Sequence, residues 1–349
     1  MHVIGRTPDD DGPVCRFGTY RARDGSDGAS VGLDVNHPHA AVVVGKRGSG
    51  KSHTLGVVAE GLARADGVAP VVVDPMGVFG GLCDSPIDAT VHESPTVRAD
   101  ALPPSAWPDL LGLDSTGPVG SLVWRLAAET DSLAEMGAAV ADADVAPETR
   151  RAATNHLSLA ESWDVFDPAG LAPDSLCGSA PDVLDLSGMD STPASVVVRV
   201  VARGLYDARV EGEVERIPWL LVDEAHAFVG TTAEPALRTI LTRGRAPGAA
   251  LVLATQRPSA LPDVAVSQAD LRIVHRLTAG PDVSAMAAVD PTYFDETLRS
   301  RLPRERGCAL VVDDTTESVH DVRVRPRETT DCGASPTAVS AHVASENVE

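Results

Sequence analysis

Residues 45–52 run Gly45, Lys46, Arg47, Gly48, Ser49, Gly50, Lys51 and Ser52, which satisfies GxxxxGK[ST] in full. The chemistry open to such a run is the holding of a phosphate chain. Its glycines allow the tight dihedrals that turn successive backbone N–H groups toward anionic oxygens. A helix starting at the end of the run would point its positive end at the same place. Lys51 offers a slim ammonium to β- and γ-oxygens, and the Ser52 hydroxyl can ligate Mg2+. The run from Gly45 to His53 is therefore the expected nucleotide-contacting stretch, with ATP as the nucleotide. Lys46 and Lys51 are also the only lysines in 349 residues; arginine supplies every other basic side chain. The broad guanidinium fork cannot take the place of Lys51, where a compact point charge is required. Lys46, at an x position, has no such fixed task.

A triphosphate site also needs a carboxylate for the metal and a group for the water. The segment WLLVDEAH ends four apolar residues with Asp223 and Glu224. Asp223 is the expected Mg2+ partner, together with Ser52. Glu224 is placed to orient and deprotonate the attacking water, unless it is only an acidic residue favourable to a helix start. His226 reads as a packed or solvent-bonded histidine, with a functional role as the alternative. A second buried strand, VLAT, runs into Gln256, which would face the γ-phosphate or merely cap the strand. Arg243 and Arg245 lie in the loop before that strand, remote in sequence from the glycine run. One of them is expected to act on a neighbouring subunit's nucleotide, where an arginine in trans is worth about 10³–10⁵ in rate; the alternative is a solvated loop charge.

These residues need an α/β framework to position them. From 40 to 80 the pattern is strand (AAVVVG), glycine loop, helix (HTLGVVAEGLARA) and strand (PVVVD). The β-branched runs look like parallel strands covered on both faces. SLVWRLAAETDSLAEMGAAVADA and PETRRAATNHLSLAESW read as helices of an inserted lobe. The α/β pattern resumes with DVLDLS, the helix PASVVVRVVARGLYDARV, WLLVD, the helix EPALRTILTRGR and AALVLAT. A β-rich part follows: RIVHRLT, ERGCALVVDD and SVHDVRVRPR. The expected organisation is a short β-rich segment at 1–39, a first core part at 40–97 and a mainly helical lobe at 98–180. The rest of the core would occupy 181–326, with a flexible polar tail at 327–349.

Composition narrows the setting. Fifty acidic against 29 basic residues give a net charge of −21. An acidic, lysine-poor surface fits a halophilic protein dissolved in molar salt, where carboxylates hold hydration; a GC-rich genome is the alternative source of the lysine deficit. At about 1 M salt the Debye length is about 3 Å, so net charge says little against a nucleic-acid partner. Cys15, Cys83, Cys177, Cys308 and Cys332 show no metal-binding spacing, as expected of reduced thiols in a cytoplasm. No apolar run approaches the length of a membrane span, so no membrane association is expected.

Other nucleotide machines fit less well. Asp74 opens a DxxG, but no NKxD follows to read guanine. Leu186, Ser187 and Gly188 start a transporter-like signature that Met189 and Asp190 break. A small-molecule kinase could draw a lid from the lobe, but such enzymes seldom need an Asp-Glu pair with a downstream TQRP.

Taken together, the segments HPHAAVVVGKRGSGKSHTL, VVVDPMGVF, LLVDEAHAFV, RGRAPGAALVLATQRPSALP, SQADLRIVHRLT and VRVRPRETT resemble the HerA-type ATPases of the HerA/FtsK superfamily, in order, from 37 to 330. The resemblance implies a RecA-like P-loop NTPase with an additional strand in a mainly parallel sheet. It implies a homo-hexameric ring that pulls duplex DNA through its centre in DNA processing or repair. It supports Lys51 and Ser52 for ATP and Mg2+, Asp223 for the metal, Glu224 for water, Gln256 as sensor and Arg243 or Arg245 as trans finger. It also matches Asp74 to a carboxylate after the second strand. Members commonly work with a nuclease docked on an N-terminal β-barrel, which makes a nuclease a possible partner; only 39 residues precede the first core strand here, so the barrel that would dock it is expected to be missing. A second functional reading is an ATP-dependent conformational switch or assembly factor acting on a protein partner.

Overall fold

The structure, a computed structural model, describes residues 1–22, 24–294 and 297–333. Twelve strands form one sheet: β1 (His2–Ile4), β2 (Val14–Arg21), β3 (Asp27–Asp34), β4 (Ala40–Val44), β5 (Val68–Asp74), β6 (Thr90–Glu93), β7 (Asp182–Asp185), β8 (Ile217–Val222), β9 (Ala250–Thr255), β10 (Leu271–Val274), β11 (Cys308–Asp313) and β12 (Ser318–Val324). Their order is β1-β3-β2-β12-β11-β10-β4-β9-β8-β5-β7-β6. From β10 to β6 every pairing is parallel. β10–β11, β11–β12, β12–β2 and β2–β3 are antiparallel, and β1 runs parallel to β3 at the edge. β9 bonds β4 on one side and β8 on the other, which is the additional-strand, RecA-like order.

The helices are α1 (Lys51–Ala63), α2 (Ala106–Leu110), α3 (Pro118–Glu129), α4 (Leu133–Asp142), α5 (Pro147–Glu161), α6 (Ser191–Glu211), α7 (Glu234–Arg243), α8 (Asp263–Ser267), α9 (Gly280–Ala287) and α10 (Leu298–Arg301). Both faces of the central strands are covered, as their unbroken β-branched runs demand. Val42 and Val44 of β4 face the core shared with α6, α7 and the 98–180 helices. Ala41 and Val43 face the opposite core with α1, β2 and β3. Helices α2 to α5 pack around Trp107, Leu122, Met136 and Leu157.

Three differences from the sequence expectation have local causes. The single helix expected over 121–143 is two, α3 and α4, because Ser132 caps the second: its hydroxyl accepts from Glu135 N at 3.2 Å, and Glu135 Oε2 accepts from Asp131 N at 3.0 Å. Residues 1–34 join the main sheet through β2 and β12. Residues 327–333, expected to begin the tail, pack against α1. Buried Glu60 accepts from Glu328 N, Thr329 N and Thr329 Oγ1 at 2.8–3.0 Å and from Arg325 Nη1 at 2.7 Å. The remainder of the expected tail, 334–349, lies outside the described residues.

The ends of the parallel strands away from the glycine run are stitched by buried charge. Arg6 Nε donates to Asp34 at 2.6 Å. His39 faces Asp270 at 2.9 Å and Asp34 at 3.2 Å. Arg272 meets Asp314 at 2.6 Å, and Gly5 N donates to Asp313 at 2.8 Å.

Candidate nucleotide site

The glycine run hangs from strands on both sides. Gly45 N donates to the Thr255 carbonyl at the end of β9 (3.3 Å), and Lys46 N to the Arg276 carbonyl beyond β10 (2.8 Å). Gly48 and Gly50 adopt φ of +73° and +117°, which side chains resist. A Cβ on Gly45 would stand 2.4 Å from Ser49 Oγ and 2.6 Å from His275 Cβ. Gly50 opens α1 with no side-chain cap, and no acidic residue lies in its first turn. The first N–H groups of α1 are thus left for an incoming anion. Ser49 Oγ is buried without a hydrogen-bond partner, a second sign of a missing acceptor or donor at this point.

Lys51 lies buried at the base of this nest, its Nζ reaching the Lys46 carbonyl at 3.4 Å. Burial pulls its pKa down, while Glu224 and Asp223 push it back up. Ser52 Oγ donates to Asp223 Oδ2 at 2.7 Å, joining the helix start to the end of β8. A hydroxyl and a carboxylate oxygen brought together are hard-oxygen donors of the kind that would hold Mg2+.

Glu224 follows directly. Burial first, and then the Asp223 charge, raise its pKa; Lys51, a hydrogen bond from the Gln256 side chain, and Arg47 pull the other way. His226 Nδ1 stands 3.3 Å from Glu224 Oε2, without the alignment of a hydrogen bond, and 3.1 Å from Thr255 Oγ1. Lys51, Ser52, Asp223, Glu224 and Gln256 therefore share one corner. His226, read from sequence as a packing residue, shares it too. So does Thr255, which sequence reasoning took only as the end of a strand.

Other expected residues fall elsewhere. His53 turns to the chain after β12, its Nε2 donating to the Arg325 carbonyl at 2.9 Å. Asp74 accepts from Met76 N and Phe79 N and so shapes its own loop. Arg243 ends α7 and Arg245 sits in the following turn, both exposed. They lie where β9 begins, while the nest follows the far end of β4, about 17 Å away along a five-residue strand. They cannot reach their own nest. His275 was missed altogether. Its Nδ1–H donates to the Cys308 carbonyl and its Nε2 accepts from Thr54 Oγ1, both at 2.9 Å, while burial pulls its pKa down to about 4. A neutral imidazole thus pins the first turn of α1 to β11.

No family profile matches the sequence, and no curated protein matches it. Solved structures do match the fold. VirB4 of Thermoanaerobacter pseudethanolicus superposes with a TM-score of 0.68 at 16% identity, covering 92% of this chain and 98% of that one. The fold is that of the RecA-like P-loop ATPases. An unbound form of the bacterial conjugative coupling protein TrwB is a second likeness, with a TM-score of 0.61, 14% identity and coverage of 95% and 97%. TrwB bound to the non-hydrolysable GTP analogue GDPNP gives 0.59, 16%, 95% and 99%. These RecA-like neighbours agree, at the level of fold, with the resemblance to the HerA/FtsK superfamily. Among the described residues no helix is long and apolar enough to cross a membrane.

Proposed function

We propose that this chain is an ATP-hydrolysing motor of HerA type, a homo-hexameric ring that translocates or unwinds duplex DNA during DNA processing or repair, in a salt-rich cytoplasm. The observation that carries the reading is the 2.7 Å approach of Ser52 Oγ to Asp223, with Glu224 beside it and Lys51 beneath. That corner combines a phosphate cradle, a metal pair and a partly desolvated base. The likeness to TrwB, a conjugative coupling protein seen with a GTP analogue, supports a nucleotide-driven task on nucleic acid.

Lys51 and the free N–H groups of α1 hold the β- and γ-phosphates. Ser52 and Asp223 would hold Mg2+, which when bound would supply charge neutralisation to the phosphate oxygens. Glu224 orients the attacking water and takes its proton. Gln256, beside Glu224, registers the γ-phosphate. Arg243 or Arg245 completes the site of the next subunit, because its own lies at the far end of the sheet.

Lys51→Ala should bring ATP hydrolysis to background. Duplex DNA should stimulate the wild-type rate in molar KCl, and light scattering with ATP should give a hexamer mass. Mixing Arg243→Ala or Arg245→Ala subunits with Glu224→Gln subunits should restore part of the activity. Wild-type hydrolysis by Lys51→Ala would remove the site; independent behaviour in the mixture would remove the trans finger. The second reading, a switch acting on a protein partner, is favoured by exposed Trp124 and Leu159 on α3 and α5. It gains if no DNA of any length or end structure changes the rate.

A further inference from the structure

The Glu224 backbone sits in the left-handed region, at φ 46° and ψ 40°, which residues with side chains seldom adopt. Two hydrogen bonds impose it. Asp223 Oδ1 accepts from Glu224 N at 2.9 Å, and Ala227 N donates to the Glu224 carbonyl at 2.8 Å. With the main chain fixed, the aim of the carboxylate depends on its side-chain neighbours. Gln256 lies close enough to favour its charged form, yet Oε2 is buried with no hydrogen-bond partner.

His226 Nδ1 faces both that orphan oxygen, at 3.3 Å, and Thr255 Oγ1, at 3.1 Å. Thr255 Oγ1 already accepts from Arg257 N at 3.0 Å, so its own proton is free to go to Nδ1. The imidazole is then the neutral Nε2–H tautomer. Thr255 is also the residue whose carbonyl receives Gly45 N, the first donor of the nest. One side chain therefore connects the end of β9, which touches the nest, to the carboxylate at the end of β8.

We propose that His226 is a positioning residue that couples Glu224 to Thr255, so that the carboxylate is aimed in step with the seating of β9 against the nest. While Thr255 holds Nδ1, Glu224 Oε2 lies buried without a protein donor, and the carboxylate keeps its basicity toward a water at its other oxygen. When β9 shifts and Thr255 lets go, His226 takes the Nδ1–H tautomer and donates to Oε2, and the base is occupied. The exchange moves one proton from Nε2 to Nδ1 through solvent and leaves the net charge unchanged.

This inference rests on the hydrolytic reading of the site, so its test separates the two. In nucleotide-free protein, 15N NMR should report the Nε2–H tautomer for His226, and Thr255→Val should move it toward Nδ1–H. In turnover, His226→Ala should lower kcat roughly 10- to 100-fold, with KM changed less than about threefold. His226→Asn, whose amide can occupy the Nδ1 position, should recover most of the rate. The double variant His226→Ala with Thr255→Val should be no slower than the worse single variant. An unmoved tautomer in Thr255→Val, multiplying losses, or a loss carried by KM overturns the coupling. Should His226→Ala fail to fold, Thr255→Val and its NMR signature decide alone. If Glu224→Gln hydrolyses ATP normally, the site reading fails; if it is dead while His226→Ala is normal, only this inference fails.

Discussion

At the ends of the parallel strands near Asp34 and Asp270, Arg6, Asp34, His39 and Arg272 are buried and each is answered. Arg6, His37 and His39 converge on Asp34, and Arg272 takes Asp314. At the opposite ends Lys51 and Asp223 are sunk as deeply, but the arrangement is incomplete. Among the described residues, Lys51 has only a long contact to a carbonyl, and Ser49 Oγ and Glu224 Oε2 have no hydrogen-bond partner. Both ends carry ionisable groups in a low-dielectric setting, where an unmet charge is costly. A folded chain keeps such a cost where a ligand answers it. The paired end holds the antiparallel wing to the parallel core; the unpaired end is where the proposed nucleotide would sit.

The largest effect that separates the ends is expected from Glu224→Gln. The amide keeps the volume and removes the base, so single-turnover hydrolysis should fall about 10³-fold while nucleotide binding persists. Thermal unfolding should show equal or higher stability, since burial already disfavours the charged carboxylate. A marked loss of stability would mean that this end is structural after all, and the contrast would collapse.

Asp34→Ala probes the other end. Removing the shared carboxylate leaves Arg6 buried without its carboxylate and a protonated His39 with Asp270 alone, which should cost about 3–5 kcal/mol in urea unfolding. Nucleotide affinity of the folded fraction should not change. A loss under about 1 kcal/mol would show that these pairs contribute little beyond an exposed ion pair.

The sequence made the nest end readable because its signals are contiguous. Gly45 to Ser52 is one uninterrupted run, and Asp223 and Gln256 each end an apolar strand whose period and flanks mark it. Helices α1, α5, α6 and α7 lie within a few residues of where their apolar spacing puts them. What could not be read depends on pairing over distance. His226 finds Thr255 29 residues on, and His275 finds Thr54 across 221. No local pattern announces either. β2 pairs with β12 through residues some 300 positions apart, so the N-terminal strands showed themselves as strands without showing their sheet. The split between α3 and α4 is a different case. Ser132 and Glu135 spell a capping box that was present in the sequence and outweighed by the apolar rhythm on either side.

The subtlest test of the contrast is pH. Burial alone would lower the pKa of His39, but hydrogen bonds to Asp270 and Asp34 outweigh it and push it up to about 9. An unfolded histidine titrates near about 6.5. A raised folded value means that the stabilisation is complete below about 6.5 and is lost as pH climbs through about 9, a total on the order of 3 kcal/mol. Glu224 is also raised, so its contribution likewise falls with rising pH, but it does so starting from the carboxylate range. The two ends therefore lose stability in different windows. Urea melts at fixed salt between about pH 6 and pH 10 should show the alkaline loss in wild type and in Glu224→Gln alike. In His39→Gln the curve should start lower and stay flat up to about pH 8.5, above which the raised Cys15 and Cys177 thiols begin to cost stability in every variant. A slope below that point that survives His39→Gln would assign the loss to another group and leave the paired end without its charged keystone.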